Sequence, residues 1–568
     1  MAAWWRTSPQ LRVREALLSA IAGLALAVVA FWPLAARLGR DVPLDLGDPL
    51  PQSWQVAWGG HALVHQPLSL FQSNQFWPLR DTLAFSDALL GYAPAGLIGD
   101  GPVAAVARYD VLWLLSFALA FAGARLLARE LGAGHGAATV AGLAFAMAPW
   151  RLEQGGHLHV LSSGGIPLTL LLLLRGWRRE RPALVLAGFA VAAWQVSLGF
   201  TLGLQLVYVL SALALVALAW WWRAGRPNPP RRMIAATAVG ALALALASGL
   251  LARPYLRVLD EHPEAARSPL TVAHYSGGPL ALLAAPETSL VWGGASAGVR
   301  ARLDAVPEQT LFPGAAILLL AVVGLGWRGW PRGLRLGLGA AALVTVLLSL
   351  GFETSGAGRL LPYRMLYELV PGWQGVRVPG RLHTLTTLAL ALLAAGGAQR
   401  VAQALARRPG GAPWPPRAAL AGLALVVALE GAGFGIGRGG ETLAAYPHPT
   451  VPRAPAGLAG LADPLLELPA RPPDNRRYLL WSTDGFPRLM NGRSSVEPRL
   501  LAQTLAAVEG FPDRGSVALL RRIGVRTVVL HADRAAGTPW AAWPARSPAG
   551  LGVRRERRGP LVVYRLGD

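Results

Sequence analysis

The sequence predicts a bundle of transmembrane helices followed by a small α/β domain, so the fold class is mainly α. Charged residues make up 15% of the 568 residues, whereas a soluble domain carries roughly 25%. Apolar runs near the ~20-residue length of a membrane-spanning helix recur through the first three-quarters of the chain. They stop after Gly437, where a Pro- and Arg-rich segment begins. These observations predict a membrane domain at 1–440 and a soluble domain at 441–568.

The apolar runs predict a polytopic bundle of about 11 spans. The candidate spans are 15–38, 103–128, 135–150, 160–176, 183–199, 200–222, 233–256, 310–327, 334–351, 380–405 and 417–437. The first run follows several arginines, is too long for a signal peptide and lacks a clear small-x-small cleavage site, which predicts an uncleaved first helix.

Arginine placement orients these spans. Starting from a cytoplasmic N-terminus, alternation places an arginine-rich connection on the cytoplasmic side at each return, while the outer loops are acidic or mixed. We therefore expect a multi-pass protein of the bacterial cytoplasmic (inner) membrane with an extracytoplasmic C-terminal domain. The external loop 39–102 contains one further apolar stretch, 83–101. It is broken by Pro and Gly and contains Asp87, which predicts an interfacial or re-entrant segment.

The C-terminal segment has the pattern of a small α/β domain. The stretches "RRYLLWST", "VRTVVLHA" and "GPLVVYRL" predict strands, and "PRLLAQTLAAVEG" and "GSVALLRRIG" predict amphipathic helices. The preceding "GIGRGG" at 435–440 follows a membrane helix rather than a strand, so we interpret it as a linker. No metal or triad spacing is evident, and we expect a lid or an acceptor-docking module.

Composition excludes several classes of function. The chain contains no Cys, which excludes thiol catalysis, Cys-ligated zinc and disulfides. The net charge of +22 comes from arginines spread over short loops rather than from one continuous basic face, so we expect no nucleic-acid partner.

Unusual polar residues gather in loops that the predicted topology places on the outer side. Ionisable groups at membrane level are costly, which makes them candidates for function. The candidates are Asp45 and Asp48 after the first span, Arg151, His157 and His159 in "PWRLEQGGHLHV", Gln309 in "PEQTLFPG" beside Glu308, and Tyr363, Arg364, Arg377 and Arg381 in "LPYRMLYELVPGWQGVRVPGRLH". We expect these loops to form one site.

The stretches "DLGDPL", "PWR" with its histidines, "EQTLFPG" and "RVPGRLH" together resemble bacterial GT-C membrane glycosyltransferases. The resemblance covers roughly residues 10–437 and the outward C-terminal domain, and it is one of layout. It implies transfer of a sugar, hexosyl or pentosyl, from a polyprenyl-phosphate carrier to a glycan, lipid or protein acceptor. It also implies an acidic general base or metal-positioning group in the first external loop, which matches Asp48 best and Asp45 second. The chain lacks an adjacent acidic pair, so a divalent metal is left open and no other cofactor is indicated.

The residue types suit this chemistry. An inverting displacement at an anomeric carbon needs a carboxylate to accept the proton of the acceptor hydroxyl. The departing phosphate needs cations, and Arg binds phosphate bidentately, which favours Arg151, Arg377 and Arg381. A site at the membrane edge lets the polyprenyl tail stay in the bilayer.

Structural roles compete with these assignments. Aspartates before Pro49 are favoured helix caps, and Arg377 and Arg381 are suited to snorkel at the interface. His61 and His65 share a helix face, which suits either a metal or interfacial packing. At the level of function, the alternatives are a transporter or flippase for lipid-linked glycans and an inactive envelope-assembly scaffold.

Overall fold

The computed structural model describes residues 11–226, 228–353, 357–406, 416–432, 435–436, 443–444 and 446–567. They form two compact units. The first unit comprises Met1–Ala36, Leu112–Leu250 and Ala266–Pro447, and the second comprises Arg37–Val111, Leu251–Ala265 and His448–Asp568. The linker stretch "GIGRGG" lies outside the described residues except for its first two.

Helices dominate the chain up to residue 430. The longer ones are α1 Val13–Ala30, α2 Pro49–His65, α3 Gly101–Glu130, α4 His135–Ala146, α5 Gly165–Arg178, α6 Pro182–Leu198, α7 Phe200–Arg223, α8 Arg231–Glu261, α9 Ala315–Leu325, α10 Arg332–Ser349, α11 His383–Ala406 and α12 Pro416–Glu430. Shorter α-helices are Trp32–Ala35, Trp150–Glu153, Leu158–Leu161, Pro269–His274, Ala297–Arg300, Val306–Gln309 and Tyr363–Leu369. Each apolar run predicted as a span contains a described helix, which confirms the helical, multi-pass class.

Seven described helices are long and apolar enough to cross a membrane, namely Val13–Ala30, Gly101–Glu130, Leu158–Arg178, Phe200–Arg223, Arg231–Glu261, Arg332–Ser349 and Pro379–Ala406. The helices in the remaining predicted runs, α4, α6, α9 and α12, are shorter. The total of about 11 spans therefore stays a prediction.

The first predicted span is divided in the structure. α1 ends at Ala30, and the short helix Trp32–Ala35 follows, with Pro33 in its first turn. Proline has no backbone N–H to donate to the preceding turn, which accounts for the interruption. The stretch 83–101 is not an α-helical span, and its principal elements are the 3₁₀ turns Thr82–Phe85 and Leu90–Leu97.

The spans differ in how much protein surrounds them. α3 and Pro379–Ala406 are 72% and 83% buried over their most apolar stretch, whereas Arg332–Ser349 is 11% buried. A helix that is apolar all round but exposed in the protein needs another apolar environment, so we assign the exposed apolar side chains of α1, α7, α8 and α10 to lipid.

The second unit contains a four-stranded sheet in the order β1-β2-β4-β3. Its strands are β1 Leu465–Leu468, β2 Thr527–His531, β3 Val553–Arg558 and β4 Leu561–Leu566. β1 and β2 are parallel, and the other pairs are antiparallel. The helices α13 Pro472–Trp481, α14 Arg499–Ala507 and α15 Arg514–Ile523 lie between β1 and β2 in the chain. A separate two-stranded ribbon pairs Gly435–Ile436 with Leu443–Ala444.

In this domain the sequence wrongly predicted a strand where a helix forms, and two strands were not predicted. The predicted strands that became β2 and β4 and the predicted helices that became α14 and α15 are confirmed. The stretch "RRYLLWST" is wrong as a strand, because most of it lies in α13. A short apolar run does not distinguish strand from buried helix, but the prolines at the first helical positions and Asp474 in the first turn favour a helix. β1 and β3 were missed.

The external loop and the C-terminal segment share one hydrophobic core. Trp54 and Trp58 of α2 are buried in the same cluster as Leu466 of β1, Val528 of β2 and Tyr564 of β4. The second unit therefore unites residues 37–111 with the C-terminal residues, which the predicted division at 440 assigns to separate domains.

Candidate functional site

Asp48 stands at the start of α2, but its carboxylate does not cap the helix. The residue occupies the N-cap position and makes no side-chain cap hydrogen bond. A capping side chain accepts from the backbone N–H of the second or third helical residue. The third is Pro51, which has none, and the N–H of Leu50 donates to the carbonyl of Gly47. The sequence "DPLP" thus removes the backbone N–H groups that a helix cap at Asp48 would use.

An arginine of α13 faces Asp48 instead. The Nη2 atom of Arg476 lies 3.6 Å from Oδ1 of Asp48, and the side chain of Asp48 is 43% exposed. Asp45 is exposed and closes a local turn, accepting the N–H of Gly47 at 2.7 Å through its Oδ1 atom. Of the two aspartates predicted as the general base, Asp48 is thus the one that lies beside an arginine.

Asp41, the first carboxylate of the loop, has a structural environment. It is fully buried, pairs with Arg37 at 3.3 Å and accepts a 2.6 Å hydrogen bond from the hydroxyl of Thr450. Its backbone forms an isolated β-bridge with the same threonine. Asp41 therefore ties the start of the loop to the segment around residue 450, within the second unit.

The first unit brings several predicted residues together around Glu308. Nη2 of Arg381 donates to Oε1 of Glu308 at 2.7 Å, and Nη1 of the same guanidinium lies 3.0 Å from Nε2 of His159. Glu308 lies in the short helix Val306–Gln309, and Arg381 lies in the 3₁₀ turn Pro379–Leu382 that leads into α11. Since arginine can only donate, His159 accepts through Nε2 and carries its proton on Nδ1.

His157 extends the cluster on the other side of Glu308. Its Nδ1 atom lies 3.0 Å from Oε1 of Gln154, whose amide donates to the carbonyl of Pro307. Nε2 of His157 lies 3.8 Å from Oε1 of Glu308. Burial alone would raise the pKa of the Glu308 carboxyl, but the charges of Arg381 and His157 and the hydrogen bond from Arg381 lower this pKa to about 2. Glu308 is thus a carboxylate at any physiological pH.

Arg377 adds a second cation to this region. Its guanidinium carbon lies 4.7 Å from the centre of the Tyr275 ring, in the arrangement of a cation–π contact. The charge of Arg377 also contributes to lowering the pKa of Glu308. Arg377 and Arg381 together with two histidines surround one carboxylate, so the cluster can carry net positive charge and attract an anion.

The other predicted binding residues make their contacts elsewhere. Arg151 is fully buried and donates to the carbonyls of Ala146 and Leu161 and to the hydroxyl of Ser163. These bonds stabilise the chain between α4 and α5, and contact with a phosphate would require them to break.

Gln309, Tyr363 and Arg364 also have structural partners. The amide nitrogen of Gln309 donates to the carbonyls of His274 and Ser276. Tyr363 is buried and directs its hydroxyl to the carbonyl of Val376 at 3.3 Å. Arg364 pairs one helical turn away with Glu368 at 2.7 Å.

Within the described residues, no group of three or more His, Cys, Asp and Glu side chains is arranged to hold a metal ion. His61 and His65 stack with ring centres 4.1 Å apart, and His61 packs against Phe486. Their geometry favours the packing interpretation. The side chains in this described part of the chain do not form a divalent-metal site, and we derive no step through a metal.

Two residues of these clusters were not among the site residues predicted from the sequence. Glu308 stood beside Gln309 in "PEQTLFPG", and the cost of an ionisable group near the membrane is the signal that applies to it. Arg476 lay in a stretch predicted as a strand, where no signal linked it to the first external loop. Asp48 and Arg381 belong to different units, and their predicted meeting in one pocket stays a prediction.

Comparison with known proteins bears on the fold. No family model matches the chain, and no curated protein matches it in sequence. Similar solved structures include the arabinofuranosyltransferase AftD from Mycobacteria, at 18% identity and a TM-score of 0.58, covering 99% of this chain. The archaeal oligosaccharyltransferase AglB from Archaeoglobus fulgidus gives 12% identity and a TM-score of 0.42, covering 97% of this chain and 74% of that one. ArnT from Cupriavidus metallidurans gives 12% and 0.39, covering 97% of each chain.

The likeness to AftD carries the conclusion about the fold. The chain spans 42% of the length of the AftD chain. AftD is a GT-C glycosyltransferase and the chain shares its fold, which confirms the predicted GT-C-like fold class and the resemblance in fold.

Proposed function

We propose that the protein is a membrane glycosyltransferase that moves a sugar from a polyprenyl-phosphate carrier to an extracytoplasmic acceptor. The observation that carries the proposal is the Asp48 carboxylate, which stands at the start of α2 without capping it and faces an arginine. The GT-C fold supports the reaction class by analogy. In this proposal the C-terminal domain and the loop 39–102 face away from the cytoplasm, in a bacterial inner membrane.

In the proposed reaction Asp48 is the general base. As the acceptor oxygen attacks the anomeric carbon, its proton passes to the Asp48 carboxylate. The bond between the anomeric carbon and the phosphate oxygen breaks, and its electron pair leaves with the polyprenyl phosphate. The configuration at the anomeric carbon inverts, because attack and departure take place on opposite faces.

The arginines of the first unit are the proposed phosphate ligands. Arg377 and Arg381 supply guanidinium groups, which bind phosphate oxygens through paired N–H donors. His157 and His159 lie at hydrogen-bonding distance from groups in the same cluster and are proposed to contact the donor as well. Before a phosphate binds, the carboxylate of Glu308 offsets one of the positive charges of this cluster.

Transfer from a panel of donors tests the proposal. The purified protein is incubated with polyprenyl-phosphate hexoses and pentoses and with glycan, lipid and peptide acceptors, and released polyprenyl phosphate and glycosylated product are measured. We expect transfer from at least one donor. If the protein moves a lipid-linked glycan across a vesicle membrane without transferring a sugar, the enzyme hypothesis is wrong and the transporter hypothesis is favoured. If the protein shows neither activity, the scaffold hypothesis is favoured.

Asp48→Asn tests the base assignment. Loss of a general base costs typically 10²- to 10⁴-fold in rate, so we expect kcat to fall within that range while the thermal unfolding midpoint is unchanged. Asp45→Asn is the matched control, and we expect its rate to stay near that of the wild type. If Asp45→Asn is the inactive variant, the base is Asp45.

A further inference from the structure

The edge strand β3 of the second unit is strongly basic. Its sequence, "VRRERR", contains four arginines and one glutamate, and the strand pairs with β4 at the end of the strand order. Charged side chains on an edge strand protect it from pairing with another chain. Charge of either sign gives this protection, so protection of the edge does not account for the excess of arginine.

Two arginines of the sheet lie side by side. Arg554 of β3 and Arg565 of β4 are directly opposite in the strand register, and both are exposed. Like charges in directly opposite positions are destabilising, because their side chains leave the sheet on the same face. Glu556 offsets part of this charge, since its Oε2 atom lies 3.4 Å from Nη2 of Arg565. Arg554 makes no hydrogen bond or ion pair with a described residue, so the repulsive pair indicates a role other than stability.

Arg526 adds a third positive charge at the same end of the sheet. It is exposed and directly precedes β2, and its carbonyl accepts the N–H of Leu566, the residue after Arg565. Asp463 precedes β1 at this end, but Nε and Nη2 of Arg488 each donate to it at 3.0 Å. This end of the sheet therefore has an excess of positive charge, which attracts anions.

The surroundings of these arginines favour a water-soluble polymer as the partner. A segment that binds a membrane surface combines cations with exposed large apolar side chains, whereas the large apolar side chains within residues 446–567 are buried or half-buried. An extended peptide would use the backbone groups at the edge of the sheet, whereas the opposed pair Arg554 and Arg565 lies on one face of it.

We propose that Arg554, Arg565 and Arg526 form a binding site for a soluble glycan that carries carboxylate or phosphate groups. The opposed guanidiniums offer paired N–H donors to one anionic group, and a bound anion removes the repulsion between them. The proposal rests on the proposed function and names its acceptor class: the acceptor is an anionic glycan, held by the unit that also contains the proposed base.

Binding to immobilised polygalacturonate, a carboxylated glycan, tests the site in the full-length protein in detergent. We expect binding that weakens as salt is added, and no binding to neutral dextran. Loss of one exposed charge-assisted contact in Arg554→Gln should weaken binding about fivefold, and Arg565→Gln should act similarly. Arg557→Gln is the matched control, because it removes the same charge from the opposite face of β3, and it should bind as the wild type does.

The thermal unfolding midpoint separates binding from a structural role. Because Arg554→Gln relieves the repulsion with Arg565, its midpoint should equal or exceed that of the wild type. A clearly lower midpoint would make Arg554 a structural residue and overturn its role in binding. Unchanged binding in Arg554→Gln, or equal weakening in Arg557→Gln, would overturn the site as well.

Competition identifies the class of partner. Tighter binding to vesicles that contain phosphatidylglycerol would replace the glycan by a lipid surface, and tighter binding to polyglutamate would replace it by an acidic polypeptide. The two proposals fail separately. A protein that binds polygalacturonate but is inactive on every donor loses the proposed function and keeps the anion site, whereas an active protein that does not bind polygalacturonate loses only the site.

Discussion

Asp48 and Glu308 are both paired with arginine, yet they lie in contrasting environments. The Glu308 side chain is 7% exposed, and its oxygen is 2.7 Å from Arg381. The Asp48 side chain is 43% exposed, and the distance to Arg476 is 3.6 Å. The first pair lies in the unit that contains most of the apolar helices, and the second lies in the unit built from the external loop and the C-terminal domain.

This difference in burial indicates that a carboxylate–arginine pair can serve two different purposes. A buried carboxylate with a short arginine contact keeps its charge and fixes the guanidinium, and breaking the pair leaves an uncompensated buried charge. A half-exposed carboxylate costs little to separate from its partner and can exchange a proton with a substrate. This contrast is in keeping with the proposed roles, in which Glu308 holds the cations of the site and Asp48 is the base.

Glu308→Gln should have the largest effect on stability. It leaves Arg381 buried without its counter-charge, which costs about 3–5 kcal/mol. We expect a correspondingly lower midpoint in thermal unfolding of the detergent-solubilised protein. Glu368→Gln is the matched control because it breaks the exposed pair with Arg364, and its midpoint should change little. Equal midpoints for the two variants would refute the contrast between buried and exposed pairs.

Acid should reveal the same buried pair in the wild type. The pKa of Glu308 is lowered from 4.5 to about 2 in the folded protein. A group with a depressed pKa contributes stability above its unfolded pKa and loses it as pH falls toward the folded one. Between pH 4.5 and 2 the wild type should therefore lose on the order of 3 kcal/mol more than Glu308→Gln. Parallel unfolding midpoints of the two proteins across this window would contradict the pairing.

Arg377 tests whether the less buried cation of the first unit meets the donor. Charge-assisted hydrogen bonds contribute about 1.5–3 kcal/mol, so Arg377→Gln should raise KM for the polyprenyl-phosphate donor roughly tenfold or more. The unfolding midpoint should stay near that of the wild type, because Arg377 is only partly buried. Arg364→Gln is the control, and an unchanged KM in Arg377→Gln would exclude its role as a phosphate ligand.

The sequence predicted the features that depend on local pattern. Long apolar runs gave the membrane helices, and "GSVALLRRIG" gave α15, which begins with a capping box at Asp513 and ends at Gly524. The wrong prediction concerns an element whose packing contacts lie far away in the sequence. The four apolar residues 478–481 fit a strand or a helix equally well. The sequence pattern could not reveal that they pack against α2 and the sheet.

The candidate site divides in the same way. Arg381, His157 and His159 were predicted from unusual polar residues in loops, and the structure brings them together around Glu308. Arg476 was beyond sequence reasoning, because its partner Asp48 is more than 400 residues away and the contact depends on packing of α13 against α2. Unusual polar residues in short loops can be recognised in a sequence. A salt bridge between the external loop and the C-terminal segment of the second unit cannot.

Asp463→Asn calibrates what an exposed pair contributes and has the smallest expected effect. Arg488 contacts Asp463 through Nε and Nη2, each at 3.0 Å, and its guanidinium lies over Trp77. The two side chains are 44% and 31% exposed, so the loss should stay below about 1 kcal/mol and the transfer rate should not change. Arg476→Gln breaks a pair of similar exposure and should cost equally little stability. A loss of several kcal/mol in the thermal unfolding of Asp463→Asn would contradict the small contribution assigned to exposed pairs.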